Sequence, residues 1–129
     1  MSRAEEAARR AELAAAQERG ESAQAQQLID GFVAQARARG LAPEPLRATL
    51  FTGQSVKTDQ VGWYLRKNRS LAIGADGRYY VLTVPGGLRE RLSGVRLEPS
   101  PPPLVVGRGG RDGESGSLVD FLRWRLEAG

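Results

Sequence analysis

The sequence predicts an α+β fold, an antiparallel β-meander of four to six strands packed against helices, with an N-terminal helical arm and a C-terminal helix. Three observations carry that prediction. Leu28, Ile29, Phe32, Val33 and Ala36 recur at helical spacing. From Leu46 the apolar period falls towards two, and an Asp76-Gly77 pair sits between two apolar runs, the strongest short-range hairpin signal in the chain. Ser117 and Asp120 then form a capping signal ahead of a last apolar-faced segment.

Taken in order, residues 3–19 are helical by propensity, rich in Ala, Glu, Arg and Gln, with Leu13 the one large apolar side chain after Met1. Glu5 and Arg9, and Glu6 and Arg10, stand four apart in the favourable orientation. A helix with no apolar stripe has little to dock with, so residues 1–20 are expected to form a mobile helical arm, broken from the rest at Gly20. Ala4, Ala8, Ala11 and Ala15 nevertheless fall at 4-3-4 spacing, which allows a close alanine seam against another helix. Residues 21–129 are expected to form a single α+β domain. Ser22 caps its first helix and Gly40 stops it, after which Pro43 and Pro45 forbid continuation.

Four strands are expected over residues 47–52, 61–66, 71–75 and 78–84, with the polar residues 53–60 a mobile connection. Reading Asp76-Gly77 as a two-residue type I′ turn sets Ala75 opposite Arg78, Ile73 opposite Tyr80 and Leu71 opposite Leu82. With an even-numbered loop before it, Tyr64, Leu71, Ile73, Tyr80 and Leu82 share one face. Trp63, Leu65, Ala72, Tyr79 and Val81 share the other, and both faces call for cover, by helices on one side or on both. A helical turn is expected over 88–92, an edge strand over 95–97, a polyproline spacer over 100–103 and a strand over 104–106. A mobile glycine-rich segment, 107–117, leads to the final helix, 118–127.

The chain has neither histidine nor cysteine. That removes the commonest general base, the usual nitrogen metal ligand, disulfides and thiolate sites together. The serines have no histidine to activate them, and a non-enzyme with no cofactor and no metal site is expected. A carboxylate pair, Asp112 and Glu114, is the weak exception. No apolar h-region opens the chain and no apolar run approaches membrane-spanning length, so a cytoplasmic protein with no membrane partner is expected. Seventeen arginines against two lysines, beside 17 alanines and 16 glycines, read as GC-rich bacterial codon usage rather than arginine chemistry.

The net charge of +4 is uneven: residues 57–96 carry +5, and the aromatic residues gather there too. Two binding sites follow as expectations. In the basic aromatic hairpin 57–96, Trp63 and Tyr79 would stack bases while Lys67, Arg69 and Arg78 neutralise phosphates, as an RNA- or single-stranded-DNA-binding module does. In the glycine-rich segment, Arg108, Gly109, Gly110 and Arg111 would hold an anion, although the spacing matches neither the P-loop nor the dinucleotide fingerprint. The primary expectation is a small non-catalytic binding or protein-interaction module whose partner is another protein; nucleic acid is the alternative. The runs LIDGFVAQARARGLAPEPLRA (28–48), GWYLRKNRSLAIGADGRYYVLTVP (62–85) and PPLVVGRGGRDGESGSLVDFL (102–122) resemble small uncharacterised proteins of high-GC actinobacteria. That resemblance implies a compact bacterial domain and carries no activity with it.

Overall fold

The first 36 helical residues form one uninterrupted element. In the computed structural model, which describes residues 2–107 and 115–129, α1 runs Arg3–Ala38 without a break at Gly20 or a cap at Ser22. Glycine costs a helix only about 1 kcal/mol relative to alanine, and the good helix formers on both sides outweigh it. Ser2 caps the N-terminus instead, its hydroxyl accepting from the Glu5 N–H. The C-terminus closes as the sequence predicts. Gly40 adopts φ +72°, and the N–H groups of Gly40 and Leu41 reach back to Arg37 and Ala36 in a Schellman arrangement.

The strands are β1 (Glu44–Leu50), β2 (Ser55–Tyr64), β3 (Leu71–Gly74), β4 (Tyr79–Val81) and β5 (Thr83–Val84). Their order is β4-β3-β2-β1-β5, antiparallel except for the parallel β1–β5 pair, so the expected α+β class with a mostly antiparallel sheet is observed. Only Leu82 separates β4 from β5, although the two lie at opposite ends of the strand order. Its N–H donates to Ser70 on one side, and its carbonyl accepts from Thr49 on the other. One stretch of chain thus pairs with both edges, and the sheet closes on itself as a small barrel, a solution that leaves few bare edges.

Closure explains how the second face is covered. Leu46, Ala48, Leu50, Val56, Tyr64, Ala72, Tyr80 and Leu82 point into the barrel and are capped by Leu97. No helix does this work: α2 (Leu88–Ser93) buries no residue. Outside the barrel, Trp63, Leu65, Leu71, Ile73 and Tyr79 meet Ala25, Ile29, Phe32 and Ala36 of α1. Leu118 and Leu122 of α3 (Leu118–Ala128) complete that cluster. Ahead of α3, β6 (Val105–Val106) and β7 (Gly116–Ser117) form a separate two-stranded ladder.

The register corrects the expected one. Leu71 pairs with Val81, Ala72 with Tyr80 and Ile73 with Tyr79, because the bend has three residues rather than two. The Gly77 N–H donates to Gly74, the Gly74 N–H to Arg78, and Gly77 takes φ +80°. Asp76 favours this form, since its Oδ1 accepts from the Arg78 N–H. The preceding connection is odd-numbered as well: Leu65 pairs with Leu71 across Arg66–Ser70. The two one-residue slips cancel, so β2 and β4 keep their predicted faces and β3 alone turns over. Leu71 and Ile73 face the helices, and Ala72 lines the barrel.

Candidate functional site

Strand β2 ends in Leu65 and Arg66, and the loop that follows carries Lys67 and Arg69. Leu65 is buried in the outer core and Arg66 is 6 % exposed. The loop is locally specified. Asn68 accepts from the Ser70 N–H, the Arg66 Nη1 donates to the Ser70 hydroxyl, and Arg69 sits at φ +58° with its guanidinium 5.2 Å from the Tyr64 ring centre. Opposite this loop stands the first half of α3. Ser117 caps it by accepting from the Asp120 N–H, as the sequence predicts. Phe121 and Trp124, three apart, lie on the helix face turned towards the loop.

Between them is a cavity of about 390 Å³, lined by Leu65, Arg66, Lys67, Ser115, Gly116, Asp120, Phe121 and Trp124. The Arg66 guanidinium lies 5.7 Å from the Phe121 ring centre, a cation–π contact made inside the wall. Asp120 brings a negative charge, which Arg123 offsets at 3.4 Å. A larger groove of about 590 Å³ runs beside α2, but its lining mixes Arg89 and Arg96 with Glu90 and Glu98, and among the described residues no aromatic ring lines it.

The residues singled out from sequence fall in different places. Trp63 is fully buried beneath α1, its indole N–H donating to the Leu41 carbonyl at 3.0 Å and its ring edge-on to Phe32 at 5.6 Å. Tyr79 is 5 % exposed. Burial pushes its hydroxyl up to about 12, against the lowering field of Arg66. Both rings are therefore covered, and neither offers a face to a base without opening the core. Tyr80, inside the barrel, is raised too, by burial and by donating its proton to Asp76 at 2.6 Å. Lys67 and Arg69 are exposed at the β2–β3 end of the hairpin, whereas Arg78 is exposed at the β3–β4 bend, across the length of β3. The structure therefore separates the expected cations instead of gathering them. Arg108, Gly109, Gly110 and Arg111, with Asp112 and Glu114, lie outside the described residues. Among the described residues, no cluster of three or more metal-ligating side chains occurs, and no helix is long and apolar enough to cross a membrane.

Neither Trp124 nor Phe121 is singled out from the sequence. The available signal was their i,i+3 spacing, offset from the buried pair Leu118 and Leu122.

The other exposed feature is the N-terminal half of α1. Residues 3–20 are exposed apart from a half-buried Ala15, and they span about 27 Å at 1.5 Å per residue. The domain-facing positions 25, 29, 32 and 36 follow a 4-3-4 pattern, and stepping back in the same rhythm passes 22 and 18 to reach Ala15, Ala11, Ala8 and Ala4. The alanine seam thus continues the buried stripe past the edge of the domain. Comparison with protein-family models, with curated proteins and with solved structures finds no match.

Proposed function

We propose that the chain is a non-catalytic, cytoplasmic protein-interaction module in which a small barrel carries a projecting helical arm as its contact element. The supporting observation is the arm itself, eighteen residues of α1 that extend the docked half of the helix and bury nothing within this chain. A helix gains most of its stability from packing an apolar face, so an unpacked extension of this length contributes little to the fold. The arm is also electrically balanced, with Arg3, Arg9, Arg10 and Arg19 against Glu5, Glu6, Glu12 and Glu18. Such a balance favours a neutral, close-packed helical partner over a polyanion. The covered state of Trp63 and Tyr79 leaves the nucleic-acid alternative without a stacking platform at those positions.

The test is photo-crosslinking in cells with the full chain, placing a benzophenone side chain at Ala8 or Ala11 on the seam and at Gln17 on the outer face. Discrete protein adducts from the seam positions and not from Gln17 are expected. Absence of adducts at both seam positions, or turnover of a small substrate by the purified protein, would refute the reading.

A further inference from the structure

The cavity between the β2–β3 loop and α3 has features that the arm does not explain. Its floor is apolar, set by the fully buried Leu65. One wall is aromatic, with Phe121 and Trp124 both half-buried and lining the cavity, Phe121 while also packing against the outer core. Its rim is cationic. Arg66 is held against Phe121, while Lys67 is exposed and has no ion-pair partner among the described residues. Among the described residues, Asp120 is the one carboxylate that lines the cavity, and Arg123 engages it. At about 390 Å³ the space is of the size that takes a small molecule. Both walls are stiff. The loop is pinned at Leu65, whose N–H donates to the Leu71 carbonyl, and at Ser70 by Asn68, and α3 is fixed by its Ser117 cap.

We infer that this cavity is a binding site for a small planar aromatic acid, its ring packed on Phe121 and Trp124 and its acidic group facing Lys67. The roles follow from chemistry. Ring faces stack on aromatic side chains, while the exposed Lys67 ammonium at the rim favours an anion over a cation. A neutral ring of the same shape keeps the stacking and loses the charge contact. The inference is independent of the arm and goes beyond it, since no described residue of α1 lines this cavity.

The experiment uses the full chain and two dyes of similar ring structure, anilinonaphthalene sulfonate, which is an anion, and neutral phenylnaphthylamine. Saturable one-to-one binding of the sulfonate is expected, with amide shifts in heteronuclear NMR centred on Lys67 and Phe121 and a shift of the Trp124 indole. Binding should weaken about tenfold or more, a loss of roughly 1.4 kcal/mol, in Lys67→Gln and in Trp124→Leu, and the neutral dye should bind more weakly than the sulfonate by a similar factor. Lys67 is exposed in a loop, so its variant keeps the test valid even if Trp124→Leu fails to fold. Unsaturable binding, equal affinity for the two dyes, unchanged affinity in Lys67→Gln, or shifts centred elsewhere, such as on the exposed Leu88 and Leu92, would overturn the assignment.

Discussion

Gly62→Ala tests the β2–β3 register most directly. Gly62 pairs with Gly74 across β2 and β3, and a Cβ at Gly62 would lie 2.1 Å from the Ile73 carbonyl oxygen and 2.8 Å from the Gly74 Cα. Both obstacles are backbone, so no rotamer change relieves them. The first contact is more than about 1 Å short of van der Waals separation, which forces the strands apart. Overpacking of this kind costs roughly 1–3 kcal/mol. Separating the strands also strains the Trp63–Ile73 and Tyr64–Ala72 pairs, each lost hydrogen bond adding about 1 kcal/mol. The expected total is about 3–5 kcal/mol, a large part of the roughly 5–15 kcal/mol that holds a domain together. In urea unfolding followed by tryptophan fluorescence, the midpoint should fall by about 2 M with a nearly constant slope. Gly31→Ala is the matched control: its Cβ meets nothing within 4 Å, and a helical interior should gain about 0.5–1 kcal/mol. A Gly62→Ala midpoint within about 0.3 M of the parent would show that β2 and β3 are not in this close register.

Four further outcomes follow from the same geometry. Tyr64→Phe removes the hydroxyl that accepts from the Arg47 N–H beside the β1 bulge, leaving a partly buried donor unpaired; calorimetry should show a loss of about 1–3 kcal/mol. Tyr79 holds its proton to about pH 12 in the folded chain against 10.0 as its ordinary value, so between those values the native state binds more protons and stability falls as pH rises. Urea midpoints at pH 9 and pH 11 should differ, and Tyr79→Phe should reduce the difference. Gly20→Ala should slow amide exchange in residues 10–19 about fivefold, reflecting about 1 kcal/mol of added helix stability; unchanged exchange would mean the helix is not continuous there. Acrylamide should quench Trp124 in a Trp63→Phe background and barely reach Trp63 in a Trp124→Leu background, since Trp63 is fully buried.

What the sequence makes legible is governed by how local its cause is. The Ser117 cap, the Gly40 stop and the stripe through Ile29, Phe32 and Ala36 are written within one or two turns and are found where their residues place them, although Leu28, expected on the same stripe, is exposed and Ala25 takes its place in the core. The Asp76-Gly77 bend is located correctly, yet its length depends on whether Asp76 bonds forward to the Arg78 N–H, a choice between two turns open to the same dipeptide. That single residue decides whether Leu71 and Ile73 or Ala72 face the helices. Barrel closure is harder still. Nothing near Leu82 says that the strand leaving it will pair with β1, since the partner lies more than thirty residues away, at Thr49 and Leu50. The candidate cavity is illegible for the same reason: Lys67 and Trp124 become neighbours only after the barrel has closed and α3 has packed against it.

The two apolar clusters divide the work in a way that bears on the arm. The barrel interior is complete without either long helix, while α1 and α3 cover the barrel's outer wall over Trp63, Ile73 and Tyr79. Only the segment of α1 from about Ala25 onward is needed for that cover. The Glu21 carboxylate accepts from the Leu104 N–H at 3.0 Å, fixing the point at which α1 leaves the domain. Beyond it the alanine seam keeps the heading of the buried stripe, and its alanines, Ala4 to Ala15, span about three turns at 3.6 residues per turn. A partner helix that packs closely on so short a seam must present small side chains of its own, because bulky ones would hold the two backbones too far apart for the alanines to touch.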